Sequence, residues 1–247
     1  MKKQNENYEA ISLYDDNGAM KSKEEFIADV AAFYDSVSNS KGDTECNCGG
    51  LIEALTEPDA IVDPMAVLEN YDFLSRTIFL SEEITPEIGT EVVRKIRLWN
   101  TADKIDGIET DKRAPIKIYI DTPGGDIDAV LNIISAIQIS TTPIYTITYG
   151  CGYSGGFFIG INGHKRYGFP NSSYLFHEGM AMDGGDAHKF LQHVDFYKMR
   201  LKKIKDITTS KTKISSEEYE AHKKDDWFFS PSEAIHYGII DEILESF

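Results

Sequence analysis

No run of eighteen consecutive apolar residues occurs in the chain, so nothing in it is suited to cross a bilayer as a helix. Residues Met1 to Gly18 are polar and lack the apolar core that a secretory signal requires. A soluble, cytoplasmic protein with no membrane partner is therefore expected. Cysteine is scarce as well. Three cysteines cannot build a disulfide framework without a leftover. Cys46 and Cys48 form a C-x-C in a polar stretch with no second Cys or His pair nearby. They are expected to be reduced loop thiols, and no metal site is anticipated. Cys151 lies in an apolar setting and is expected to be a small buried residue. The last deficit is positive charge: 25 basic residues stand against 41 acidic ones, a net charge of −16. Binding to nucleic acid needs concentrated Lys and Arg, so that class of partner is excluded, and a chain that repels polyanions is expected.

Against these deficits, 41% of the 247 residues are hydrophobic, enough for a large core. The length permits one domain with a sizeable extension. Residues 1–70 carry no recognisable chemistry. Within them Phe26, Ile27, Val30, Phe33, Tyr34 and Val37 recur at helical spacing over 23–37, and Leu51–Leu55 and Met65–Leu74 are short apolar patches of helical type. From residue 71 the organisation is denser. Thr77–Leu80 is a strand candidate. Thr85 and Pro86 then supply an N-cap and a first-turn proline for a helix of about fifteen residues. The polar run Asn100–Arg113 is expected to be a loop. Ile116–Ile120 predicts a strand, followed by Asp121-Thr122-Pro123-Gly124-Gly125 and a helix bearing Ile127, Val130, Leu131, Ile134 and Ile137. Pro143–Thr148 predicts the next strand, and a glycine-rich turn around Ser154 leads into a helix over Gly155–Ile161. Lys165–Asn171 is expected to be a turn, Ser173–Glu178 a strand, 186–208 a long helix and Ser215–Lys224 another. This alternation implies an α/β fold with a largely parallel sheet. Both glycine turns then lie at the carboxyl edge, where such sheets bind ligands.

Ser154 stands among Gly150, Gly152, Gly155 and Gly156. A serine on a strand-to-helix turn projects its hydroxyl beside unpaired helix N–H groups, and such groups hold a developing negative charge. A tight turn with a surface serine is the plainer reading of these residues taken alone. A nucleophilic serine needs a base, an orienting carboxylate and oxyanion donors. His164, His188, His193 and His222 lie in polar contexts, and His236 in a short C-terminal helix. His177 closes an apolar strand twenty-three residues after Ser154. An α/β-hydrolase would need its histidine late in the chain, at His222 or His236, and leaves Gly124-Gly125 without a role.

Taken together, Asp121-Thr122-Pro123-Gly124-Gly125, Gly150-x-x-x-Ser154-x-Gly156, Lys165-Arg166-Tyr167-x-x-Pro170-Asn171-Ser172 and Phe176-His177 resemble the Clp protease proteolytic subunit in order and spacing. Asp226-x-Phe228-x-Ser230, Glu233-Ala234 and Tyr237-Gly238-Ile239-Ile240-Asp241 continue the likeness, which spans about residues 72–247. The resemblance implies a crotonase-like fold in residues 71–247, with residues 1–70 as an extension outside the pattern. It implies a serine endopeptidase built as stacked seven-membered rings, acting on peptides or unfolded proteins and needing no cofactor. By resemblance Ser154 is the nucleophile, His177 the base and Asp226 the orienting acid, with Asp225 as the alternative. Gly125 and Gly155 supply the oxyanion N–H groups, and helix 186–208 is the handle between rings. An ATP-driven unfoldase partner is implied too, although the extension departs from the family's axial segment and suggests a phage-type or other divergent processing peptidase. Two further departures are Gly155, where the family carries Met, and Glu178-Gly179, where it carries Gln-Pro. A carboxylate at 178 is expected to alter peptide preference or the basicity of His177. A non-catalytic ring subunit and an acyl-CoA enzyme of the same fold are the competing readings.

Overall fold

Ile116, Ile118 and Ile120 alternate with Lys117, Tyr119 and Asp121, and a strand turns alternate residues to opposite faces. In a computed structural model, which describes residues 64–179 and 184–246, these three isoleucines are fully buried on one face of a seven-stranded sheet. The helix expected over 23–37, the Cys46–Cys48 pair and the patch at 51–55 lie outside the described residues. Asn70–Phe247 forms one compact unit.

In chain order the elements are α1 (Pro64–Leu74), β1 (Thr77–Leu80), α2 (Pro86–Ile105), a 3-10 turn (Thr110–Lys112) and β2 (Ile116–Thr122). There follow α3 (Ile127–Ile139), β3 (Ile144–Tyr153), α4 (Gly155–Gly160), β4 (Lys165–Gly168) and β5 (Ser173–Phe176). The chain continues through α5 (Ala187–Lys211), α6 (Ser216–His222), β6 (Trp227–Phe229), α7 (Pro231–His236) and β7 (Glu242–Ile243). Strands β1, β2, β3, β4 and β7 lie side by side in that order, all parallel. The ten-residue β3 serves two neighbours on one edge. Its first half pairs with β4, its last three residues pair with β5, and β5 pairs antiparallel with β6. The α/β, largely parallel architecture expected of a crotonase-like fold is the one adopted. Among the described residues no helix is long and apolar enough to cross a membrane.

One sheet face is covered by helices. Val92, Ile96 and Trp99 from α2, Val130, Ile133, Ile134 and Ile137 from α3, and Phe157 and Phe158 from α4 join the isoleucines of β2 in a single core. Each such side chain, fully buried, contributes about 1.5–3 kcal/mol. Helices α2 and α3 touch at Gly89, where a Cβ would lie 2.8 Å from that of Ala129. The other face is aromatic. Phe79 stacks on Tyr119 at 5.0 Å, and Tyr149 meets both edge-on at 6.2 Å.

The structure departs from the sequence reading in four places. Lys165–Gly168 is a strand rather than a turn, because β3 offers it a free edge. Strand β3 runs on to Tyr153: its register against β2 shifts after Thr148, and Gly152 is back in the ladder opposite Thr122 and Tyr174. Trp227–Phe229 forms an edge strand on β5. Lastly, α2 continues to Ile105, through residues whose polarity suggested a loop. Those residues are polar because they anchor the α3–β3 connection. Asn100 donates to Ser140 Oγ at 2.8 Å and accepts from the N–H groups of Thr141 and Thr142 at 2.9 and 3.0 Å.

Asp103 is the most demanding of these anchors. Its side chain is fully buried and takes a two-pronged contact from Arg76, at 2.7 and 2.5 Å, plus the Thr142 hydroxyl at 2.7 Å. Burial pushes its pKa up, but the bonds from Arg76 and Thr142 together outweigh it and hold the carboxyl below its ordinary range. A depressed folded-state pKa means stabilisation that is present above the unfolded value, about 3.9, and is lost as pH falls through the folded one. Asp103→Ala is expected to lower unfolding free energy by about 3 kcal/mol at neutral pH. Denaturant melts should show the gap from wild type persisting to about pH 4 and closing only below it.

Candidate active site

Ser154 sits where β3 ends and α4 begins. Its N–H still donates to Leu175 O at 2.9 Å, as a further rung of the β3–β5 ladder. Its backbone then breaks sharply, with φ 51° and ψ −112°. A non-glycine residue at positive φ is strained and needs surrounding structure to hold it. Here the ladder holds the residue from one side and the helix from the other. The side chain makes no capping bond to the helix, so the half-buried hydroxyl is left for other partners.

Sheet register brings the histidine and the acid to this point. Tyr153 lies opposite Leu175, and Phe176 lies opposite Trp227. Ser154 therefore falls beside Phe176–His177, and His177 falls beside Asp226. The contact is present: His177 Nδ1 lies 3.4 Å from Asp226 Oδ1, with His177 26% and Asp226 65% exposed. Asp225, the alternative acid, is turned away to His222 Nδ1 at 3.7 Å. The other histidines have separate surroundings. His164 Nδ1 accepts from Ile144 N–H at 2.9 Å, and the His222 ring stacks on Trp227 at 4.1 Å.

The second glycine turn reaches the same place. Ile84 N–H donates to Gly124 O, and Asp126 N–H donates to Ile84 O, both at 2.8 Å. This parallel bridge leaves the Gly125 N–H pointing to the opposite side. Gly125 needs to be glycine: its φ is +153°, and a Cβ would meet Ile84 O at 2.3 Å. Gly124, at φ +104°, packs so closely that a Cβ would lie 2.8 Å from both Gly155 N and Ser154 Cβ. The hydroxyl of Thr122 braces the turn, accepting from Gly124 N–H at 3.1 Å and donating to Glu82 O at 2.5 Å. Gly155 is the first residue of α4, so its N–H has no intrahelical partner. Its Cβ position lies 3.5 Å from Gly125 N. The backbones of the two glycines are thus neighbours beside Ser154.

Three side chains answer questions that the sequence left open. Val130 Cγ2 stands 2.6 Å from where a Cβ at position 155 would be, so the space of a larger residue there is already filled from α3. Cys151 is half-buried rather than buried. Burial, with the Asp121 carboxylate beside it, pushes its thiol up to about 11, which leaves it protonated and a poor nucleophile at neutral pH. Glu178 has a partner on helix α6. Its Oε1 accepts from the Tyr219 hydroxyl at 2.8 Å, on the side of Phe176 and α6. Neither Val130 nor Tyr219 carries a signal in sequence spacing, since each looks like an ordinary core residue of a helix. Among the described residues no group of three or more His, Cys, Asp or Glu is placed to hold a metal ion.

The sequence is similar to known proteins over these residues. A family model described as Clp protease matches residues 63–247. The ATP-dependent Clp protease proteolytic subunit 2 of Treponema pallidum is 30% identical over 173 residues, covering 69% of this chain and 83% of that protein. The proteins of the same name from Treponema denticola and Tropheryma whipplei are each 31% identical. Those matches cover 70% and 68% of this chain and 83% and 90% of the relatives. The match takes in both glycine turns, the histidine strand and the late acid, so the chain belongs to the Clp protease family.

Proposed function

We propose that this chain is a serine endopeptidase that cleaves peptides or unfolded proteins through Ser154, His177 and Asp226. The observation that carries the reading is the strained Ser154 turn set beside a histidine that already faces a carboxylate. Ser154 Oγ attacks the scissile carbonyl while His177 Nε2 takes its proton. Asp226, at Nδ1, fixes the tautomer and stabilises the imidazolium. The oxyanion accepts from the Gly125 and Gly155 N–H groups. Collapse breaks the C–N bond, the amine leaves with the proton from His177, and water hydrolyses the acyl-enzyme by the reverse relay. No step calls for a metal or cofactor.

A ring-shaped homo-oligomer is part of this reading. Its support is α5, on which Phe190, Leu191, Phe196 and Met199 are 41–60% exposed, an apolar stretch suited to meeting another copy. An ATP-driven unfoldase is the partner that the family resemblance adds. A non-catalytic ring subunit is the second reading, and the 3.4 Å spacing and exposure of Asp226 are what favour it.

A fluorophosphonate probe is expected to label the wild type and not Ser154→Ala, and cleavage of an unstructured peptide should vanish with the label. A large ring by light scattering, with no cleavage and no label, would favour the second reading. Gly155→Ala is expected to press on Val130 and shift an oxyanion donor, a type of loss that typically costs about 10²–10³ in kcat. Adding Val130→Ala makes room for the new methyl group and should restore most of the peptidase rate. If Gly155→Ala matches wild type, Val130 gives way to the methyl group and the N–H at 155 is not displaced.

A further inference from the structure

The chain segments carrying His177 and Asp226 are tied together twice. One tie is the β5–β6 ladder, which ends at Phe176 and Trp227. The other lies on the far side of His177, where Glu178 Oε1 accepts from the Tyr219 hydroxyl at 2.8 Å. Tyr219 belongs to α6, the helix that leads into Asp226. It is fully buried, and its ring meets Phe176 at 5.1 Å and lies under Lys205 Nζ at 5.8 Å.

Helix α6 is itself firmly seated. Ser215 and Glu218 form a reciprocal capping box. Glu220 pairs with Lys205 of α5 at 2.7 Å. The His222 ring stacks on Trp227 at 4.1 Å, at the start of β6. The Tyr219–Glu178 bond therefore joins a fixed helix to the residue just past the base, where the strand has ended and the ladder no longer holds the chain.

We propose that Tyr219 and Glu178 are positioning residues whose hydrogen bond fixes the backbone at His177 and so sets the approach of its ring to Asp226 and Ser154. This rests on the serine-peptidase reading. A Tyr hydroxyl is a single directed donor, and this one stands on a fully buried ring that fixes where it can donate. The half-buried His177 ring has a 3.4 Å contact to Asp226, a spacing that a small shift of residue 177 opens or closes.

The test measures kcat and KM on an unstructured peptide, with active sites counted by fluorophosphonate titration so that unfolded protein drops out. Tyr219→Phe, which keeps the ring and its packing, is expected to lower kcat per titrated site about tenfold, with KM within about twofold. Glu178→Ala should fall as far, and the double variant no further, as expected for partners in one bond. Glu178→Gln retains an oxygen that accepts the same bond and should recover most of the rate. Wild-type kcat per site in Tyr219→Phe would overturn the inference, as would equal losses in Glu178→Gln and Glu178→Ala. A loss confined to the number of titrated sites would also overturn it, since that reports stability alone. Labelling of Ser154→Ala would instead remove the serine-peptidase reading on which the inference rests.

Discussion

The structure depends on one strand having to serve two neighbours along a single edge. Strand β3 is ten residues long. Having paired with β4, it still has unsatisfied backbone groups, and a buried backbone group without a partner is costly. Strand β5 satisfies them, and only because it does can the ladder reach Ser154 and hold that residue in a backbone conformation it would not adopt unaided. The strain at the serine, the place of the histidine and the place of the acid are consequences of one register. In a sheet a slip of one residue turns every side chain to the other face, so His177 and Asp226 can meet only in this pairing.

The glycines divide by what stands against them. Gly125 and Gly124 are required by positive φ and by neighbouring backbone, which cannot move aside. Gly155 is required by a side chain, Val130, which can be changed. The first pair is fixed by the path of the chain, whereas the last is half of a complementary pair of volumes. That explains how a position can depart from the family pattern without leaving a void beside the serine.

Much of this was legible in the sequence, for reasons specific to each element. The isoleucines of β2 and the stripe on α2 announce themselves because burial imposes a period. The positions of Ser154, Gly125 and His177 at the ends of elements are legible because they close or follow such periodic stretches. The helical place of Asn100 and Asp103 is not legible, because their polarity serves hydroxyls, backbone groups and an arginine from distant segments. The partner of Glu178 is not legible, because its carboxylate bonds to Tyr219, forty-one residues away. Strands β4 and β6 are four and three residues long. They owe their existence to an available edge, which no local pattern records.

The contact between His177 and Asp226 spans forty-nine residues of chain and depends on β6, one of the last elements to be made. During synthesis the serine and the histidine emerge first, without the carboxylate, while α5 and α6 are still to be added. A growing polypeptide of this sequence therefore carries an incomplete set until its final strands dock. The order of the elements along the chain thus sets when Ser154, His177 and Asp226 can come together: only after β6 has docked on β5.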